Sequence, residues 1–161
     1  MQWKKGGWKM GLPNEFVKFV KFLRERANGR LIIGWGMSRG AKWLIELVRE
    51  HAGLLDGAVM FAGYPHSKGE HEQVASAQEL IATRHCQILM VHFVGDECCG
   101  VSCFPQWHAE FVRHMADPHR KSPLVSVTMP GNHGAAHPMW HWTTERALFF
   151  DLMWRSLVPA H

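Results

Sequence analysis

No apolar run in this chain reaches the roughly 18 residues that a membrane-spanning helix needs. The first residues, MQWKKGGWKMG, carry positive charge without the apolar stretch that would follow it in a secretory signal. The expectation is a cytoplasmic protein with no membrane span. Charged residues make up only 20% of the 161, too few for a disordered tail, while 47% hydrophobic content suffices for a core. The net charge of +4 is not concentrated anywhere: Lys4-Lys5 and Arg120-Lys121 are isolated pairs, so no nucleic-acid partner is expected. Cysteine is scarce, at Cys86, Cys98, Cys99 and Cys103. Adjacent cysteines rarely bridge, and their spacing fits none of the common zinc patterns, so reduced thiols, no metal and no cofactor are expected. Tyrosine occurs once, as Tyr64. Repeats, low-complexity tracts and linkers are missing too, which argues for one domain over residues 1–161.

Four short runs read as strands: Arg30–Trp35, Gly57–Gly63, Gln87–Val94 and Pro123–Met129. The first three are almost continuously apolar, as strands buried on both faces are, whereas the last alternates more. Helices are expected between and around them. Phe16, Val17, Phe19, Val20 and Leu23 form an apolar stripe after Pro13-Asn14-Glu15, and Asn28-Gly29 ends that helix. AKWLIELVREHA repeats the pattern up to Gly53, and Glu72–His85, Gln106–Met115 and Pro138–Leu157 follow. Each gap between strands is long enough for a parallel crossover. The fold class is therefore α/β with a mostly parallel sheet and flanking helices.

In open α/β sheets, function gathers beyond the carboxyl ends of the strands. Ser38 follows the first run, Gly63-Tyr64-Pro65-His66 the second, Gly95-Asp96-Glu97 the third and Gly131-Asn132-His133-Gly134 the fourth. A serine, an acid and a histidine thus share one sheet edge. Serine is a weak nucleophile until an imidazole takes its proton, and a carboxylate orients that imidazole.

Gly36-Met37-Ser38-Arg39-Gly40 has the form G-x-S-x-G, preceded by an apolar run and followed by an amphipathic one. That is the setting a strand-to-helix nucleophile turn requires. Its flanking glycines are expected to avoid collisions between strand and helix. His92-Phe93-Val94-Gly95-Asp96 differs from an H-G-x-x-D pattern by one phenylalanine. On these residues the sequence resembles the α/β-hydrolase superfamily, in particular its carboxylesterase and dienelactone-hydrolase-like members. The resemblance runs from about Leu12 to the C-terminus and corresponds to the later half of that fold, a three-layer sandwich. It implies a serine hydrolase of carboxylic esters, with Ser38 as nucleophile, His133 as general base and acid, and Asp96 as orienting carboxylate. It also implies that the Arg39 backbone N–H is one oxyanion donor. A prolyl-oligopeptidase-like peptidase, or a non-catalytic hydrolase-like interaction module, is the alternative.

Several neighbours compete for these roles. Glu97 stands beside Asp96. His137 and His141 stand near His133, but Pro138 breaks the helix that would align all three as metal ligands. Tyr64 is a candidate substrate contact. A dinucleotide loop is disfavoured because Arg39 occupies the third glycine position and Asp56 precedes the second strand. The family's fold usually has strands before the nucleophile strand, and here one helix precedes it. The second oxyanion donor therefore has no counterpart, and the first strand is expected to be an open edge covered by a homo-oligomer or another partner.

Overall fold

A computed structural model of the chain describes residues 12–65, 69–96 and 100–129. Its elements alternate: α1 Asn14–Arg26, β1 Ile33–Met37, α2 Arg39–Glu50, β2 Gly57–Phe61, α3 Glu70–Ala82, β3 Gln87–Phe93, α4 Pro105–Ala116 and β4 Leu124–Met129. The four strands form one parallel sheet in the order β1-β2-β3-β4. The α/β class and its parallel sheet are therefore as the sequence indicated. The helix expected over Pro138–Leu157 lies outside the described residues.

Consecutive parallel strands joined by crossovers of one hand place every connecting helix on the same face. Side chains from α1 to α4 accordingly share one core with Ala58 and Met60 of β2 and Ile88 and Met90 of β3. The alternate residues Val59, Phe61, Leu89, Val91 and Phe93 form a second apolar cluster on the other face. β2 and β3 are buried on both faces, which explains their unbroken apolar runs.

β1 ends the sheet among the described residues, the edge position expected of it, and although its run is as apolar as those of β2 and β3, Leu31, Ile33 and Trp35 are exposed. Among the described residues β1 has a strand neighbour on one side only, and on the face away from the helices Trp35 stacks on Phe61 with centroids 5.1 Å apart. On the helix-bearing face, a Cβ at Gly34 would stand 3.0 Å from Leu55 Cδ1 and closer still to Leu44.

α1 is fastened at the amino ends of the strands. Arg24 donates to the Leu54 carbonyl and, at 2.8 Å, to Asp56, which also accepts the Ile32 N–H at 2.7 Å. Burial works to raise the Asp56 pKa, but the Ile32 N–H and Arg24 outweigh it and hold the carboxyl below its ordinary value. Asp56 thus ties the lower rim of the sheet, away from the strand ends where a nucleotide ribose would sit.

Candidate active site

The turn after β1 is one of three places in the described backbone where a non-glycine residue has a positive φ. Ser38 has φ 54° and ψ −115°, a left-handed value that costs a non-glycine residue roughly 1–3 kcal/mol. The flanking structure enforces it. The Ser38 N–H continues the sheet ladder to the Phe61 carbonyl at 2.9 Å, while the Ser38 carbonyl accepts the Lys42 N–H of α2 at 3.0 Å. One residue therefore ends a strand and starts a helix.

Gly36 makes this possible. A Cβ there would meet the Gly40 carbonyl group and stand 2.6 Å from the Ala41 nitrogen, so β1 and the first turn of α2 are in backbone contact. Gly40 is different: a Cβ there meets no described atom within 4 Å. The steric purpose expected of both glycines is seen at the first and not at the second. Arg39 is the first residue of α2, where backbone N–H groups point out of the helix end and attract negative charge.

Asp96 stands beyond β3 and is almost fully buried. The loop that holds it folds back tightly. Gly100 N–H donates to the Asp96 carbonyl and Val101 N–H to the Phe93 carbonyl, both at 3.1 Å. A Cβ at Gly100 would press on the Asp96 carbonyl and come within 2.7 Å of the Phe93 oxygen. Gly100 is thus the residue that lets the acid loop close. The signal for it was one glycine after a cysteine pair, which pattern reading passes over.

Ser38 and Asp96 therefore occur at the same edge of the sheet, with the end of β2 between them. There the chain bends through Ala62, left-handed at φ 47°, whose N–H donates to the Val91 carbonyl at 3.0 Å. Tyr64 follows, half-buried, its ring stacked on Phe104 with centroids 5.4 Å apart. It packs against both apolar clusters, so much of its ring serves the core. His133, Glu97, His137, His141, Cys98 and Cys99 lie outside the described residues. Cys86 is buried, and burial, followed by the Asp56 charge, pushes its thiol up to about 12. It is an inert core residue at neutral pH.

A histidine pair behind the acid loop went unnoticed in the sequence except as part of a spacing. His92 of β3 is buried, packed edge-on against His108 at 5.1 Å and against Phe111 at 5.2 Å. Burial, reinforced by His108, lowers its pKa to about 3, so its ring is neutral at physiological pH. Its Nε2 has no hydrogen-bond partner among the described residues, whereas His108 Nε2 is 2.8 Å from the Thr128 hydroxyl. No group of three or more metal-ligating side chains occurs among the described residues.

Neither a protein-family model nor a curated protein sequence matches the chain. Solved structures do. A predicted CIB-like hydrolase from Thermoplasma acidophilum is 14% identical, with a TM-score of 0.56 over 89% of this chain and 58% of that one. A cold-adapted esterase from an Arctic intertidal metagenomic library, in its zinc-bound structure, is 14% identical with a TM-score of 0.54, covering 86% and 56%. A polyethylene-glycol-bound cold-adapted esterase from an Arctic intertidal metagenomic library gives 15% identity and a TM-score of 0.51, covering 86% and 53%. The chain thus spans somewhat more than half the length of these proteins. Its parallel sheet and flanking helices share the α/β fold of these proteins over the part that the chain covers.

Proposed function

We propose that the chain is the nucleophile-bearing part of a serine hydrolase that cleaves carboxylic esters. The observation that carries this reading is the backbone of Ser38, held left-handed between β1 and α2 by a contact that only a glycine at position 36 permits. Strain of that kind persists where the surrounding structure over-determines it, and it clusters at working sites. The buried Asp96 on the same sheet edge and the fold shared with hydrolases and esterases support it further.

In this mechanism Ser38 Oγ attacks the ester carbonyl while His133 takes its proton. The oxyanion that forms is received by the Arg39 N–H, and Asp96 orients and stabilises the charged imidazole. Collapse of the tetrahedral intermediate expels the alcohol with the proton from His133 and leaves an acyl group on Ser38. Water, deprotonated by the same histidine, then releases the acid.

Hydrolysis of p-nitrophenyl acetate by the purified chain tests the assignment. The expected result is an initial burst followed by slow turnover, with both phases lost in Ser38→Ala and reduced by several orders of magnitude in Asp96→Asn. Turnover unaffected by both substitutions contradicts it. Cleavage of a prolyl-p-nitroanilide in preference to the ester would instead support the peptidase reading.

A further inference from the structure

His92 and Thr128 are partners in the ladder between β3 and β4. Both lie on the helix-bearing face, because Ile88, Met90 and Leu124, at alternate positions of the same strands, belong to the core shared with the helices. Each is the last helix-facing residue of its strand. His108, near the start of α4, meets them both. Its ring packs edge-on against His92, and its Nε2 shares a hydrogen bond with the Thr128 hydroxyl, 2.8 Å away. Burial lowers the pKa of both imidazoles. The two rings are thus neutral at neutral pH and can lie edge to face without repulsion.

These contacts close a ring of bonds around the acid. Where the chain leaves β3, the Val94 N–H donates to the Met129 carbonyl of β4 at 3.1 Å. Beyond Asp96 the chain returns, with Val101 N–H on the Phe93 carbonyl and Cys103 N–H on the Gly100 carbonyl, both at 3.1 Å. Phe104 then leads into α4, and its carbonyl accepts the His108 N–H at 3.1 Å. The His108 side chain carries the connection across to Thr128, and the ladder carries it back to His92. Two other contacts fasten α4 to β4, and both lie nearer the amino end of the strand. His114 Nε2 is 3.3 Å from the Leu124 carbonyl, and the Ser126 N–H is 3.3 Å from Met115 Sδ. Asp96, almost fully buried inside this ring, is therefore placed by where α4 begins as well as by where β3 ends.

We propose that His108 is a positioning residue for Asp96. Through Thr128 it fixes the start of α4 to the carboxyl end of β4, which closes the loop between β3 and α4 on the buried carboxylate. The inference rests on the reading of Ser38 and Asp96 as members of one hydrolytic site, on which His108 acts only through that loop.

Burst kinetics of the full chain with p-nitrophenyl acetate, read beside urea unfolding, test the role. Thr128→Val keeps the shape of the side chain and suits a strand, but it removes the hydroxyl. It is expected to slow the saturating burst about tenfold, a fraction of the loss of about a hundredfold that a displacement of about 1 Å brings. The half-saturating ester concentration and the urea midpoint stay near those of the wild type. Thr128→Ser restores the rate, and His108→Gln keeps most of it, because an amide can supply either partner of the bond. In the Asp96→Asn background Thr128→Val has no further effect, since both changes act on one group. A burst equally fast in the wild type and Thr128→Val overturns the positioning role and leaves Ser38 as nucleophile. Equal losses in Thr128→Val and Thr128→Ser also overturn it, as does a loss that multiplies with that of Asp96→Asn. A folded wild type with no burst overturns the hydrolase reading itself, and this inference with it.

Discussion

Alanine substituted in turn for the two glycines that flank Ser38 should act in opposite directions. At Gly36 the new methyl would meet the Gly40 carbonyl group and stand 2.6 Å from the Ala41 nitrogen. Those are backbone atoms at the start of a packed helix and cannot rotate away. Overpacking of this sort costs about 1–3 kcal/mol, or a drop of roughly 2–12 °C in Tm for a chain of this size. If α2 shifts instead, the Ser38 hydroxyl moves with it, and a displacement near 1 Å is worth about a hundredfold in rate. At Gly40 the methyl meets nothing described within 4 Å. The glycine lies inside α2, where alanine is the better helix former by about 0.5–1 kcal/mol. Urea unfolding of the two variants beside the wild type decides the matter. Gly36→Ala is expected to unfold at lower denaturant and to react slowly with active-site probes, and Gly40→Ala to be neutral or more stable and fully reactive. Equal losses at both positions would refute the reasoning, because it assigns the close contact to Gly36 alone.

Further outcomes follow from the same structure. Ser38→Gly removes the penalty of a left-handed non-glycine residue and should raise stability by roughly 1 kcal/mol while removing nucleophilic activity, measurable by unfolding and ester assay on one sample. The neutral His92 binds its proton with a pKa near 3 folded and 6.5 unfolded. The unfolded state therefore takes up more protons below pH 6.5, and stability present above that value is lost as pH falls toward 3. The loss approaches about 1.4 kcal/mol per pH unit, and His92→Phe should flatten this slope in urea titrations between pH 7 and pH 5. Asp56→Ala frees Arg24 and leaves the Ile32 N–H without its carboxylate. It should cost about 1–2 kcal/mol and loosen α1, seen as faster amide exchange over Asn14–Arg26.

The sequence carried the alternation of strands and helices because β2 and β3 are buried on both faces, and such strands must be apolar throughout. The apolar-run rule alone does not separate β1 from them, although the missing preceding strands marked β1 as an edge. Leu31, Ile33 and Trp35 look like core residues by composition, but apolar content does not say whether a face is enclosed or awaits a partner. The serine turn was legible through Gly36, whose spacing to Ser38 is local, while Gly40 completes the same pattern without a visible steric reason. Asp96 was legible as the acid after a strand. Its loop was not, because the closure made by Gly100 is a backbone contact with no side-chain signature. The pairing of His92 with His108 is also non-local, since it joins a strand to a helix sixteen residues on. His133 lies outside the described residues, so the reading of that residue still rests on its place in the sequence.

The most direct measurement of the central claim is reaction of the intact chain with a fluorophosphonate, followed by mass spectrometry of its peptides. The account predicts one adduct, on Ser38, that is absent in Ser38→Ala and slowed at least a thousandfold in His133→Ala, in keeping with the roughly 10⁴-fold effects of triad loss. A folded chain that takes up no probe, or takes it up elsewhere, would contradict it.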